Sequence, residues 1–148
     1  MNVFELRPGL KAFLLALAGS AVLMIGMGYG RFAYTGILPL MLNEQVLSLR
    51  EGNLAASANY AGYLAGALLL AKARPADARV LNLLSVLLTL LCLALLGWLV
   101  SPLAIIAVRG IAGLLSAVTL IAASLWLLQH MKHHNGAPVL YSGVGMGI

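Results

Sequence analysis

The chain has 148 residues, 62% of them hydrophobic and only 9% charged, and its mean hydropathy is +1.00. A water-soluble domain carries about 25% charged residues, and a disordered chain is apolar-poor, so this composition excludes both. The net charge of +5 lies in short clusters between apolar runs, which fits membrane topology and gives no basic face for nucleic acid.

At about 20 residues per crossing, the length allows four or five transmembrane helices and no separate domain. The expected fold is an all-α membrane protein with four spans and the start of a fifth. The first span is predicted at residues 11–42, where Arg31 is the only charge between Lys11 and Glu44. Arg7 and Lys11 ahead of an apolar run also suit a signal peptide. The run continues through Val22–Met27, which favours a retained helix. The second span is predicted at 52–71 and the third at 80–100. Ser101 and Pro102 then break the chain, and Pro suits the first turn of the next helix. A fourth span is predicted at 103–129, charged only at Arg109, and a partial helix begins near residue 139. The stretch from there to Ile148 is too short to cross a bilayer. The chain therefore reads as a fragment of a larger protein.

Lysine and arginine orient these helices. With the N-terminus cytoplasmic, Arg7, Lys11, Lys72, Arg74, Arg79 and Lys132 lie inside and Arg50 alone lies outside. Trp98 and Trp126 fall near opposite span ends, where indole rings anchor at the interface.

Small residues mark the faces that pack. Gly26 and Gly30 repeat at four-residue spacing in the first span, Ala58, Gly62 and Gly66 in the second, and Gly113 and Ala117 in the fourth. Such stripes allow close backbone approach. The third span is leucine-rich all round and is expected at the periphery. Cys92, the single cysteine, has no disulfide partner and reads as a small apolar residue.

Chemistry is sparse. An arginine at a helix centre costs about 2.5–3.5 kcal/mol to insert, so Arg31 and Arg109 are expected to face a bundle interior or cavity. Snorkelling to the headgroups is the alternative for each. Tyr34, Asn59 and Tyr63 are candidate partners or cavity-lining groups, although such residues also serve as interhelical glue. All four acids, Glu5, Glu44, Glu51 and Asp77, fall outside the spans. This argues against a complete proton-driven pump. His130, His133 and His134 lack a carboxylate or thiolate to complete a metal site and read as interfacial histidines. Gly143, Gly145 and Gly147 follow no strand, so they do not make a nucleotide loop. No catalytic residue, cofactor or metal is expected, and the chain does not read as an enzyme.

The segment Gly28-Tyr29-Gly30-Arg31-Phe32-Ala33-Tyr34-Thr35-Gly36-Ile37-Leu38-Pro39-Leu40-Met41 resembles a bacterial branch of the major facilitator superfamily. The segment from Ala58 to Gly66 is similar to it as well, and Arg109 to Ala117 resembles the superfamily's fourth-helix Arg-xxx-Gly motif. Tyr141–Ile148 resembles the opening of a fifth helix. The resemblance implies a secondary transporter in the bacterial inner membrane that moves a small solute by alternating access. Arg31 and Arg109 would be cavity residues, with Tyr34, Asn59 and Tyr63 lining or gating. Residues 66–79 depart from the superfamily's cytoplasmic loop motif in glycine content and spacing. A complete member has about twelve helices built from inverted repeats, so further helices of the same transporter would be partners. Two arginines without an intramembrane acid suggest an anionic solute. A non-transporting protein that binds partner helices, and a small dimeric four-helix exporter, are the alternatives.

Overall fold

Proline and local capping set the helix boundaries. A computed structural model, describing residues 8–130 and 134–147, is built of helices, with no strand among those residues. Helix α1 (Pro8–Leu23) passes through a π-helical turn (Met24–Tyr29) directly into α2 (Gly30–Asn43). Helices α3 (Leu49–Leu69), α4 (Ala78–Leu96) and α5 (Pro102–Ser124) follow, and α5 runs on through a second π-helical turn (Leu125–His130). Helix α6 covers Ala137–Met146. Pro102 and Pro138 stand in the first turns of α5 and α6, where a missing N–H costs no intrahelical bond. Pro39, inside α2, instead removes the donor that Thr35 O would have used.

The α2–α3 connection is tight because both ends are capped. Gln45 takes φ 57°. Its N–H bonds Leu42 O at 3.2 Å, and Val46 N–H bonds Met41 O at 2.9 Å. These are the two reverse bonds of a Schellman stop. Val46 packs against buried Met41, supplying the apolar contact that accompanies that motif. Three residues on, Ser48 and Glu51 form a reciprocal capping box at the start of α3.

Three helices are long and apolar enough to cross a membrane: Gly9–Asn43 with 35 residues, Pro75–Leu96 with 22 and Pro102–Gln129 with 28. The chain is therefore a multi-pass membrane protein. Helix α3 has 21 residues but is not among the three. Asn53, Asn59, Tyr60, Tyr63 and three glycines dilute its apolar content. The ten residues of α6 fall short of a crossing.

Helix α5 is the axis on which the others assemble. Its buried residues, from Ile105 and Arg109 to Ala122 and Ala123, occupy most of its circumference. Helix α3 runs along it in the same chain direction, with Gly62 beside Gly110 and Gly66 beside Leu114. Helix α4 lays one stripe, Ala78, Ser85, Thr89, Cys92 and Leu96, toward the bundle. Leu83, Leu84, Leu87, Leu88, Leu90 and Leu91 of α4 remain exposed, as suits a lipid-facing surface. Helix α6 packs chiefly on α1. The apolar core is divided along the bundle. One cluster, around Tyr34, Met41, Leu47, Ala55, Leu96 and Ile105, lies at the end carrying the α2–α3 turn. Another, around Ala16, Leu23, Ala123, Leu127 and Leu140, lies at the opposite end.

Candidate functional site

Arg109 is 2% exposed although it carries a full charge. Burial of this kind requires the guanidinium to be matched by acceptors, because an unmatched ion is driven out of a low-dielectric interior. No carboxylate fills this role; two backbone carbonyls do. Nη1 donates to Gly30 O at 3.2 Å and Nη2 to Arg31 O at 3.1 Å, so the planar fork spans consecutive carbonyls of α2. The Tyr34 ring lies 4.4 Å from the guanidinium carbon and presents its negative face to the cation. Tyr34 is itself fixed, its hydroxyl donating to Gly52 O at 3.2 Å. Arg109 Nε is buried without a hydrogen-bond partner.

The start of α2 is where a second helix can reach these carbonyls, because the π-helical turn precedes it. Gly30 N–H bonds Ile25 O, five residues back rather than four. One turn earlier, the Ser116 hydroxyl donates to Gly26 O at 2.8 Å, within reach of Ala112 O as well. Helix α5 thus grips the π-helical turn and the first residues of α2 at two levels.

Arg31 occupies the adjoining position but points elsewhere. Its guanidinium carbon lies 4.8 Å from the Tyr60 ring, 4.7 Å from Tyr63 and 5.7 Å from Phe32. It is held by aromatic faces alone, and its Nε is buried without a hydrogen-bond partner. The side chain is half-buried, whereas Tyr60 is 59% exposed. This leaves a cation at the open edge of α2 and α3.

The five candidate site residues fall into two groups. Arg109, Tyr34 and Asn59 are buried; Arg31 and Tyr63 are half-buried and adjacent. Asn59, 1% exposed, donates through Nδ2 to Arg109 O at 3.0 Å and so bonds α3 to α5. The carbonyl of Arg31, bonded by Arg109, joins the two groups.

The small residues surround this framework. A Cβ on Gly62 would fall onto Gly110 O, and one on Gly113 onto Asn59 O. One on Gly66 would sit 2.6 Å from Leu114 O and 3.0 Å from the Cβ of Ala117. Ala58 lies near Gly110, while Gly26 faces Thr119 and Gly30 faces Thr89. Of the three histidines, His133 lies outside the described residues.

Two contributions escaped the sequence reading. Tyr60 shares the Arg31 cation with Tyr63, and its three-residue spacing from Tyr63 is the signal for a common face. Ser116 lies one helical turn beyond Ala112 and reads as a neutral small residue until its hydroxyl meets Gly26 O.

A family profile described as "Uncharacterised MFS-type transporter YbfB" matches residues 23–148, which includes the π-helical turn, α2, α3 and both arginines. The chain belongs to this family. No curated protein and no solved structure matches it. Membership of a transporter family makes this multi-pass protein a membrane transporter or part of one. Within this MFS-type chain, the arginine pair is the one charged feature set among apolar helices.

Proposed function

We propose that the chain supplies helices to a secondary transporter that moves a small anionic solute by alternating access. It would contain four spans, with α3 as the polar second one, and α6 would begin a fifth. In this reading the protein lies in a bacterial inner membrane with its N-terminus cytoplasmic, as the distribution of lysine and arginine favours. Further helices of the same transporter would cover the exposed edge of α2 and α3.

The observation that carries the proposal is the division of labour between two arginines. Arg109 is buried and its fork is engaged by carbonyls, so it acts as a brace. Arg31 holds its charge at the open edge between Tyr60 and Tyr63, and takes the solute. Tyr63 lines the same position, while Tyr34 and Asn59 keep Arg109 in place. The glycine stripes of α3 and α5 face each other. They are thereby used within the chain, which counts against a protein whose purpose is to capture partner helices.

The test uses a full-length family member with measurable uptake. Replacing the residue that corresponds to Arg31 with alanine removes transport and leaves membrane insertion intact. Normal uptake by that variant would falsify the solute-binding role.

A further inference from the structure

A cleft of about 390 Å3 lies away from the arginine pair, between α1 and α4. Ala18 and Val22 of α1 and Leu83 of α4 form its apolar walls, and Arg79, Asn82 and Trp126 also line it. Ala18 and Leu83 are exposed, so the cleft opens on the outer surface of two membrane-spanning helices. A second hollow of about 220 Å3 continues past Arg79 and Trp126 to Pro75 and Ala76. Its position before α4 puts it at the end of the span, where hydrocarbon gives way to headgroups.

Each part of this arrangement has a chemical counterpart. An apolar trough opening toward lipid suits an acyl chain. The rim carries Arg79, with Arg74 and Lys72 just ahead of it in the chain, and Asp77 is the only acid between residues 71 and 100. Such a rim is complementary to a phosphate ester. Trp126 marks the boundary between the two hollows, at the depth an indole prefers. Asn82 Oδ1 is buried without a hydrogen-bond partner and can accept from a headgroup hydroxyl.

We propose that the α1–α4 cleft is a binding site for an anionic phospholipid, with its phosphate at Arg79 and one acyl chain along Ala18, Val22 and Leu83. The site is independent of the solute-binding role of Arg31.

The test uses the whole chain with Trp98→Phe, which leaves Trp126 as the only indole. It is reconstituted in phosphatidylcholine vesicles containing a minority of lipid brominated on its acyl chains, which quenches nearby tryptophan. Brominated phosphatidylglycerol associates at Trp126 about fivefold more strongly than brominated phosphatidylcholine, the preference one interfacial cation confers. Arg79→Gln reduces that ratio to about one. Arg50→Gln, which removes the same charge at the other end of the bundle, leaves it unchanged. Ala18→Phe keeps every charge but fills the trough, and it lowers quenching by phosphatidylglycerol. That variant decides the matter if Arg79→Gln loses helicity. Equal quenching by the two lipids, an equal effect of Arg50→Gln, or no effect of Ala18→Phe would each overturn the site. Full displacement by soluble glycerol phosphate would show a headgroup pocket alone and overturn the lipid assignment.

Discussion

A buried guanidinium that bonds two successive carbonyls cannot be replaced by another cation of the same charge. The ammonium of lysine is a single point and lacks the planar fork. Arg109→Lys therefore frees the carbonyl of Gly30 or of Arg31 and loosens α5 from α2. The expected loss is about 2 kcal/mol, as for a hydrogen bond to a charged group. Chemical denaturation in detergent micelles reads it, and an unchanged midpoint would reject the bracing role. Both arginines were legible in the sequence because a charge inside an apolar run needs an explanation. Their different fates were not. Which arginine is engaged and which is open depends on contacts 78 and 79 residues apart in the chain, between Arg109 and the carbonyls of Arg31 and Gly30. Tyr60 was hidden for a related reason, since an exposed tyrosine carries no sequence mark of the cation beside it.

The close approach of α3 to α5 depends on the absence of side chains at their crossing. A methyl group at Gly62 meets the backbone of Gly110, which cannot move aside as a flexible side chain would. Gly62→Ala is expected to destabilise the bundle by about 3 kcal/mol, the upper range for overpacking. Gly36→Ala, at a helical site with nothing within 4 Å of the new methyl, is expected to be neutral or to stabilise by up to about 1 kcal/mol. Thermal unfolding of the two variants side by side separates crowding from helix propensity. Equal effects would mean that the α3–α5 contact does not control stability.

The start of α3 also responds to pH. Glu51 Oε2 accepts from the Ser48 N–H at 2.8 Å and from its hydroxyl at 2.7 Å, which holds the Glu51 carboxyl below the usual carboxylate range. A depressed value means that the cap contributes fully above the unfolded value of about 4.3 and is lost as pH falls through the folded one. The Ser48 amide resonance should titrate with a midpoint below that ordinary value, and Glu51→Gln should abolish the titration. A midpoint at or above it would show that the box does not persist in solution. Apolar runs and Pro102 revealed most helix positions. The π-helical turns left no such trace, because a one-residue change in hydrogen-bond spacing alters neither composition nor length. Gly26, Gly28 and Gly30 were its only hint.

Across the whole molecule, the small and polar residues gather around α5 while leucine covers the outside of α4, so the family of the chain is written in its texture as much as in its motifs. The long helix from Gly9 to Asn43 behaves as two rods in series. Its first part is dressed for α6, with Ser20 Oγ 3.4 Å from Ser142 Oγ; its second is dressed for α5. The π-helical turn between them sets their relative phase. An α-helix advances about 100° per residue, so deleting Met27 would convert the bulge to regular helix and swing the α1 face away from α6. In a Cys92→Ser background, Ser20→Cys with Ser142→Cys should cross-link readily in the parent chain and fail to do so after the deletion. Persistence of the cross-link would mean that the phase is set elsewhere. A rotary offset of this kind lets one half of a span turn without obliging the other to follow.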